Sequence, residues 1–194
     1  MNIEINNDPF PHIIIENYFN EDECGLIWKE IEFLFPKLSD PTVFAGAKNP
    51  DGSFMTNSYG MTLDNVYRNR DISDILTFSN KIFSNELFLK LIEKNDYWYT
   101  IDHSSSDYTK LRYYGEGTKY DPHQDTWVNV LVSTTFCKDE LEGGDLYFPN
   151  HNYLIKSEHN KTVVFPGWIR HGITEVIKNY RFAITKFIHC GVPD

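Results

Sequence analysis

Three side chains in the C-terminal half of this sequence could share one metal ion. His123-Gln124-Asp125 places an imidazole and a carboxylate two residues apart. In an extended segment, residues i and i+2 point to the same face, so both groups aim at one point. Pro122 fixes its own φ and favours an extended residue before it. His171 can supply the third ligand. It sits in Phe165-Pro166-Gly167-Trp168-Ile169-Arg170-His171-Gly172, between an apolar run and a further strand-like segment. Two imidazoles and one carboxylate leave coordination positions open on the far side of the metal, which suits a non-haem ferrous centre. A closed structural zinc site has no such room. Arg181 follows in Asn179-Tyr180-Arg181-Phe182-Ala183-Ile184-Thr185. Alternation puts Arg181, Ala183 and Thr185 on one strand face. If that face lines a barrel, the guanidinium needs an anion, and the carboxylate of a small acid would suit it bidentately.

The surrounding elements must bring these groups together. A short strand is predicted at His12–Ile15. Asn20 with Glu23 three residues later reads as a capping box, followed by apolar residues at helical spacing, so a helix is expected from Glu21 to about Phe35, closed by Pro36. Residues 40–70 are rich in Gly, Asn, Asp, Ser and Thr and read as a long loop of functional type. The spacing of Ile75, Leu76, Phe78, Ile82, Phe83, Leu87 and Leu91 predicts a second helix over 72–92. From Tyr97 onward, strands are indicated at Tyr97–Ile101, Lys110–Tyr114, Trp127–Phe136, Asp145–Phe148, Thr162–Phe165, Ile173–Val176 and Arg181–His189. Gly, Pro and Asn turn signals separate them. The fold class is α+β, mainly β: supporting N-terminal helices (1–95, with the lid loop) and a jelly-roll core (96–190) in one domain spanning 1–194.

With these residues in place, the stretch from Tyr113 to Thr185 resembles the catalytic core of the Fe(II)/2-oxoglutarate-dependent dioxygenase superfamily. It is most similar to the prolyl 4-hydroxylase-like branch. The resemblance rests on Tyr114-Gly115-Glu116-Gly117-Thr118-Lys119-Tyr120-Asp121-Pro122-His123-Gln124-Asp125, on Glu142-Gly143-Gly144-Asp145-Leu146-Tyr147-Phe148-Pro149, on His171-Gly172-Ile173 and on Arg181. It implies a double-stranded β-helix, with His123, Asp125 and His171 as ligands of Fe(II) and Arg181 on the distal carboxylate of 2-oxoglutarate. O2 would be the oxidant, and ascorbate a possible reductant. The implied reaction couples oxidative decarboxylation of 2-oxoglutarate to hydroxylation of an unactivated C–H. The family also sets a tyrosine from the preceding strand against the co-substrate. Leu111 and Tyr113 share one face of that strand; Lys110, Arg112 and Tyr114 share the other. The apolar face is expected to point inward, which favours Tyr113 over Tyr114. Tyr120 is expected to line the same pocket. Relatives often carry glycine where this chain has Lys178-Asn179-Tyr180. Asparagine can adopt the left-handed turn, so the hairpin should survive.

Composition narrows the partners. The chain has 194 residues, 18 basic and 28 acidic, for a net charge of −10. Such a field repels polyanions, so no nucleic-acid partner is expected, and a basic or neutral substrate fits better. The three cysteines, Cys24, Cys137 and Cys190, form no CxxC pair and read as free thiols in a reducing compartment. The N-terminus has no basic region and only a three-residue apolar run, so no membrane association is expected and a cytoplasmic location is. His12, His103, His151, His159 and His189 lack metal-ligand context. Lys161 and Arg170 read as solvated charges. Trp127 and Trp168 flank the ligands and could shape a pocket or simply pack. The expected substrate is a prolyl or other residue of a peptide or protein. A free amino acid or other small molecule is the alternative, and a zinc hydrolase or non-catalytic jelly-roll binding module is less favoured. Composition leaves the oligomeric state open.

Overall fold

The computed structural model describes residues 1–44 and 48–190. Thirteen strands lie among them: β1 (Asn2–Asn6), β2 (His12–Glu16), β3 (Tyr59–Thr62), β4 (Ser106–Tyr114), β5 (Tyr120–His123), β6 (Val130–Phe136), β7 (Glu142–Gly143), β8 (Leu146–Phe148), β9 (Tyr153–Ile155), β10 (Lys161–Pro166), β11 (His171–Ile173), β12 (Val176–Lys178) and β13 (Arg181–His189). The main sheet has the order β1-β2-β10-β6-β13-β4-β3, and a smaller sheet has the order β5-β11-β8-β9. All their pairings are antiparallel. This is the double-stranded β-helix expected from the sequence. No described helix is long and apolar enough to cross a membrane.

The main sheet is buried on both faces. Leu111, Val130, Val132, Val164, Phe182, Ile184 and Ile188 pack with the helical layer. The alternate residues Tyr114, Leu131, Val163, Phe165, Ala183 and Phe187 pack with Leu146, Phe148, Ile155 and Ile173 of the smaller sheet. Because side chains alternate across a strand and both faces are covered, β6, β10 and β13 are buried along almost their whole length. The site opens between the two sheets.

The helical layer begins with α1 (Glu21–Leu34). The expected capping box is formed: Asn20 Oδ1 accepts from Glu23 N–H at 2.9 Å, and a Glu23 oxygen accepts from Asn20 N–H at 2.8 Å. Pro36 lies within a 3-10 turn, Phe35–Lys37, that ends the helix. Buried Glu30 ties α1 to the next segment by accepting from Ser73 Oγ and Ile75 N–H.

Three expectations for the chain before β4 need correction. The single helix over 72–92 is broken. After α2 (Pro41–Phe44) and α3 (Leu63–Val66) come α4 (Asp74–Phe78), a 3-10 segment (Ser79–Phe83) and α5 (Asn85–Ile92). Ser79 Oγ donates to the Ile75 carbonyl at 2.6 Å, the side-chain competition that tightens a helix end. The strand expected at Tyr97–Ile101 is helical instead: a 3-10 turn over Asp96–Trp98 runs into α6 (Tyr99–Asp102). Asn95 caps that turn at Tyr97 N–H, and fully buried Trp98 anchors it in the core, so tertiary burial outweighs aromatic strand preference. The stretch 40–70, read as loop, carries α2, β3 and α3, and its residues 45–47 lie outside the described ones.

Candidate active site

Strand β5 carries His123 and pairs with β11, where His171 stands directly opposite in register. The turn after β5 delivers Asp125, whose N–H donates to the Gly167 carbonyl at 2.9 Å. A β-carbon on Gly167 would lie 2.5 Å from the Val128 carbonyl oxygen and 2.9 Å from that of Asp125. Only glycine allows the two turns to approach this closely.

One ligand atom from each of His123, Asp125 and His171 lies within 4.8 Å of the others. The ring tautomers follow from the hydrogen bonds. His123 Nδ1 donates to the Asp121 carbonyl at 3.0 Å, and His171 Nδ1 donates to the Ile169 carbonyl at 2.8 Å. A carbonyl only accepts, so each Nδ1 carries the proton and each Nε2 presents a lone pair. These Nε2 atoms stand 3.8 Å and 3.7 Å from Asp125 Oδ2, too far for hydrogen bonds. Two lone pairs and a carboxylate converge with no proton between them, and a divalent cation fits that gap. Burial pushes the His171 imidazolium down to about 3, with His123 adding to the shift. Burial also lowers His123, against the opposing pull of Asp125. It raises the Asp125 carboxyl, which the charge of His123 opposes. Both histidines are thereby kept in the neutral form that binds metals.

Arg181 begins β13, is 2% exposed, and lines the same cavity. Its Nη1 donates to the Gly144 carbonyl and, at 2.5 Å, to Ser157 Oγ. Its Nε is buried without a partner, and no acid ion-pairs with it among the described residues. Burial lowers its pKa. The Gly143-Gly144 turn has positive φ at both residues, 73° and 66°, and a β-carbon on Gly144 would lie 3.2 Å from Arg181 Cδ. Asn179 takes the left-handed conformation expected of it, at φ 67°.

The tyrosine expectation is reversed. Tyr113 packs against Phe35, Tyr180 and Phe182 on the helical side of β4. Tyr114, 2% exposed, lines the cavity with the Arg181 Cζ 5.5 Å from its ring. The apolar face does point into a core, but the sheet has two cores and the cavity lies in the other. The same inversion brings Lys110 and Arg112 into the cavity, two residues assigned no role in the sequence reading. The alternation had grouped them with Tyr114; polarity alone misplaced that face. Tyr120 lines the cavity as expected, its ring stacked on His123 with centroids 4.1 Å apart. Trp127 and Trp168 are about half exposed, and Trp127 stacks on Tyr108.

Comparison with known proteins agrees with this geometry. Residues 109–189 match the model of the 2OG-Fe(II) oxygenase superfamily. This segment belongs to that superfamily. The matched segment is thus that of a 2-oxoglutarate-dependent oxygenase, with Fe(II), 2-oxoglutarate and O2 as cofactor, co-substrate and oxidant. No curated protein matches the oxygenase by sequence. Among solved structures it resembles a Pseudomonas putida prolyl-4-hydroxylase (TM-score 0.65, 11% identity, 93% of each chain covered). It also resembles a Trichoplax adhaerens prolyl hydroxylase in complex with a hypoxia inducible factor oxygen degradation domain peptide fragment (TM-score 0.63, 14% identity, covering 92% of this chain and 83% of that one). A third likeness is the viral collagen prolyl hydroxylase of Paramecium Bursaria Chlorella virus-1, in its 2OG complex (TM-score 0.58, 12% identity, covering 93% and 96%). At these identities the likeness is one of fold.

Proposed function

We propose that the oxygenase hydroxylates an unactivated C–H of a residue, prolyl in the first instance, in a peptide or protein. We assign His123, Asp125 and His171 as the iron ligands and Arg181, with Tyr114 beside it and Tyr120 against His123, as the 2-oxoglutarate site. The carrying observation is the convergence of two Nε2 lone pairs with Asp125 in the cavity that also holds an arginine lacking an acid partner. Bound iron supplies the activation of O2, driven by decarboxylation of the 2-oxo acid. The protein's own groups do the rest. The Asp121 and Ile169 carbonyls fix the tautomers of the ligating rings. The Arg181 guanidinium, held by Gly144 and Ser157, is ready to orient a distal carboxylate. The apolar walls from Leu131, Leu146, Phe165 and Ile173 exclude water.

The peptide reading is supported by the Trichoplax adhaerens likeness, whose solved form contains a peptide. We take residues 1–194 as one oxygenase domain, with the described residues of the segment 40–70 as its substrate-side lid. The anaerobic protein with Fe(II) and 2-oxoglutarate should show a visible charge-transfer absorption that His171→Ala and Asp125→Ala abolish. Prolyl peptides should then yield succinate and gain one oxygen in mass. Hydrolysis of an ester or amide supported by zinc and not by iron would overturn the proposal.

A further inference from the structure

Strand β4 sends two cations into the cavity that the oxygenase reading leaves unused. Arg112 is only 6% exposed. Its guanidinium carbon lies 4.6 Å from the Phe44 ring centroid and 5.0 Å from that of Tyr120, and its Nη1 donates to Ser58 Oγ at 3.0 Å. Lys110 Nζ meets the rings of Phe187, Tyr108 and Phe44 at 4.9 to 5.6 Å. Neither cation has an ion-pair partner among the described residues, and both line the cavity with Asp125.

The charges of the loaded site decide what this means. Ferrous iron, the 2-oxoglutarate dianion, Asp125 and Arg181 together carry no net charge. Lys110 and Arg112 are then surplus positive charge in a largely water-excluding pocket, which calls for an anion. Burial pushes the Lys110 ammonium down to about 8, with Arg112 adding to the shift and Asp125 only opposing it. The co-substrate does not extend to the further of the two cations. Arg181 pairs in register with Tyr114, whereas Lys110 pairs with Thr185, four residues further along β4. At the rise of a strand that is roughly 13 Å, more than a five-carbon diacid spans.

We propose that the substrate brings a carboxylate into this cavity, where Arg112 and Lys110 receive it beside the carbon to be oxidised. The proposal rests on the oxygenase reading and narrows its substrate class. The net charge of the whole chain had pointed to a basic or neutral substrate; the field inside the cavity is of the opposite sign. The carboxylate can come from an acidic side chain of a peptide or from the free α-carboxylate of a small acid.

The test uses the anaerobic Fe(II)–2-oxoglutarate complex, read by its visible absorption, and succinate release in air. The probes are N-acetyl-proline, N-acetyl-aspartate and N-acetyl-glutamate, their neutral amides, prolyl peptides flanked by Asp or by Asn, and a phosphoserine peptide. At least one carboxylate probe should perturb the absorption at a tenfold lower concentration than its amide; whether it is a free acid or an acidic peptide identifies the source. Arg112→Gln should reduce that preference below twofold, Arg112→Lys should restore part of it, and Lys110→Met should lower it. All three should leave 2-oxoglutarate affinity within threefold of wild type. Arg112→Gln should also raise the thermal midpoint of the ligand-free protein, since it removes an unpaired buried charge; a structural role would lower it. Equal response to acids and amides, no response to any carboxylate, or a response to phosphoserine alone overturns the proposal. So does a loss of 2-oxoglutarate affinity in Arg112→Gln as large as in Arg181→Gln. In those cases the wild-type absorption remains and the oxygenase reading stands; absence of that absorption removes both.

Discussion

Tyr114 and Arg181 are cross-strand partners in register, and the guanidinium carbon of Arg181 lies 5.5 Å from the Tyr114 ring. Two residues of adjacent strands thereby form one end of the cavity, while the neighbouring Tyr113 serves the opposite core. Tyr114→Phe is expected to weaken 2-oxoglutarate binding about tenfold, the size of one hydrogen bond to a charged group. Tyr113→Phe is expected to change it less than twofold. Titration of the charge-transfer absorption measures both, and equal effects would show that the strand face has been misassigned.

The buried histidine sets a pH dependence of stability in the metal-free protein. His171 has its pKa lowered from 6.5 to about 3, so the unfolded chain takes up a proton before the folded one does. Its contribution is present above pH 6.5 and is lost as pH falls toward 3. Asp125 has the opposite sign: its raised pKa favours the folded state at the acid end, and that gain is lost as pH rises. The wild type should therefore lose more stability between pH 6.5 and 4 than His171→Ala, which removes only the first effect. Denaturant titrations at pH 7, 5.5 and 4.5 compare the two; parallel profiles would contradict the assignment.

Gly167 holds two turns in contact. Gly167→Ala places a methyl group against backbone oxygens of Val128 and Asp125, neither of which can rotate away. Overpacking of this kind costs about 1–3 kcal/mol. Because Asp125 moves with its turn, Fe(II) affinity should fall at least tenfold, while the preceding strand His123 sits on is retained. Metal titration with circular dichroism separates the two effects.

The helical layer should behave differently. Asn20→Ala removes one half of the capping box at the start of α1 and should cost about 1 kcal/mol. For a chain of this length that is a fall of roughly 2–4 °C in thermal midpoint. Co-substrate affinity should be unchanged, since α1 touches only the far side of the main sheet. A parallel loss of affinity would mean that the layer tunes the cavity.

That His123, Asp125, His171 and Arg181 meet at one cavity was legible because residue types of this kind rarely coincide: a carboxylate two residues from one histidine, a second histidine after a Pro-Gly turn, and an arginine on a strand face of small residues. The capping box at Asn20 was legible because its partners are local. What failed was non-local. Tyr97–Ile101 is aromatic enough for a strand, but Trp98 is fully buried in the core shared by the helical layer and the main sheet. Lys110 and Arg112 were set on the correct shared face with Tyr114, but assigning that face to the cavity required knowing that two cores flank the sheet. The split of the helix over 72–92 turns on Ser79 bonding backwards to Ile75, a competition that apolar spacing does not register.

The double burial of β4 also separates two kinds of inheritance. Odd-numbered positions such as Leu111 and Tyr113 answer to folding; even-numbered ones such as Lys110, Arg112 and Tyr114 answer to what the cavity admits. Point substitutions at the even positions can therefore retune selectivity while leaving the scaffold whole. A one-residue insertion or deletion within the strand would exchange the two sets and ruin both at once.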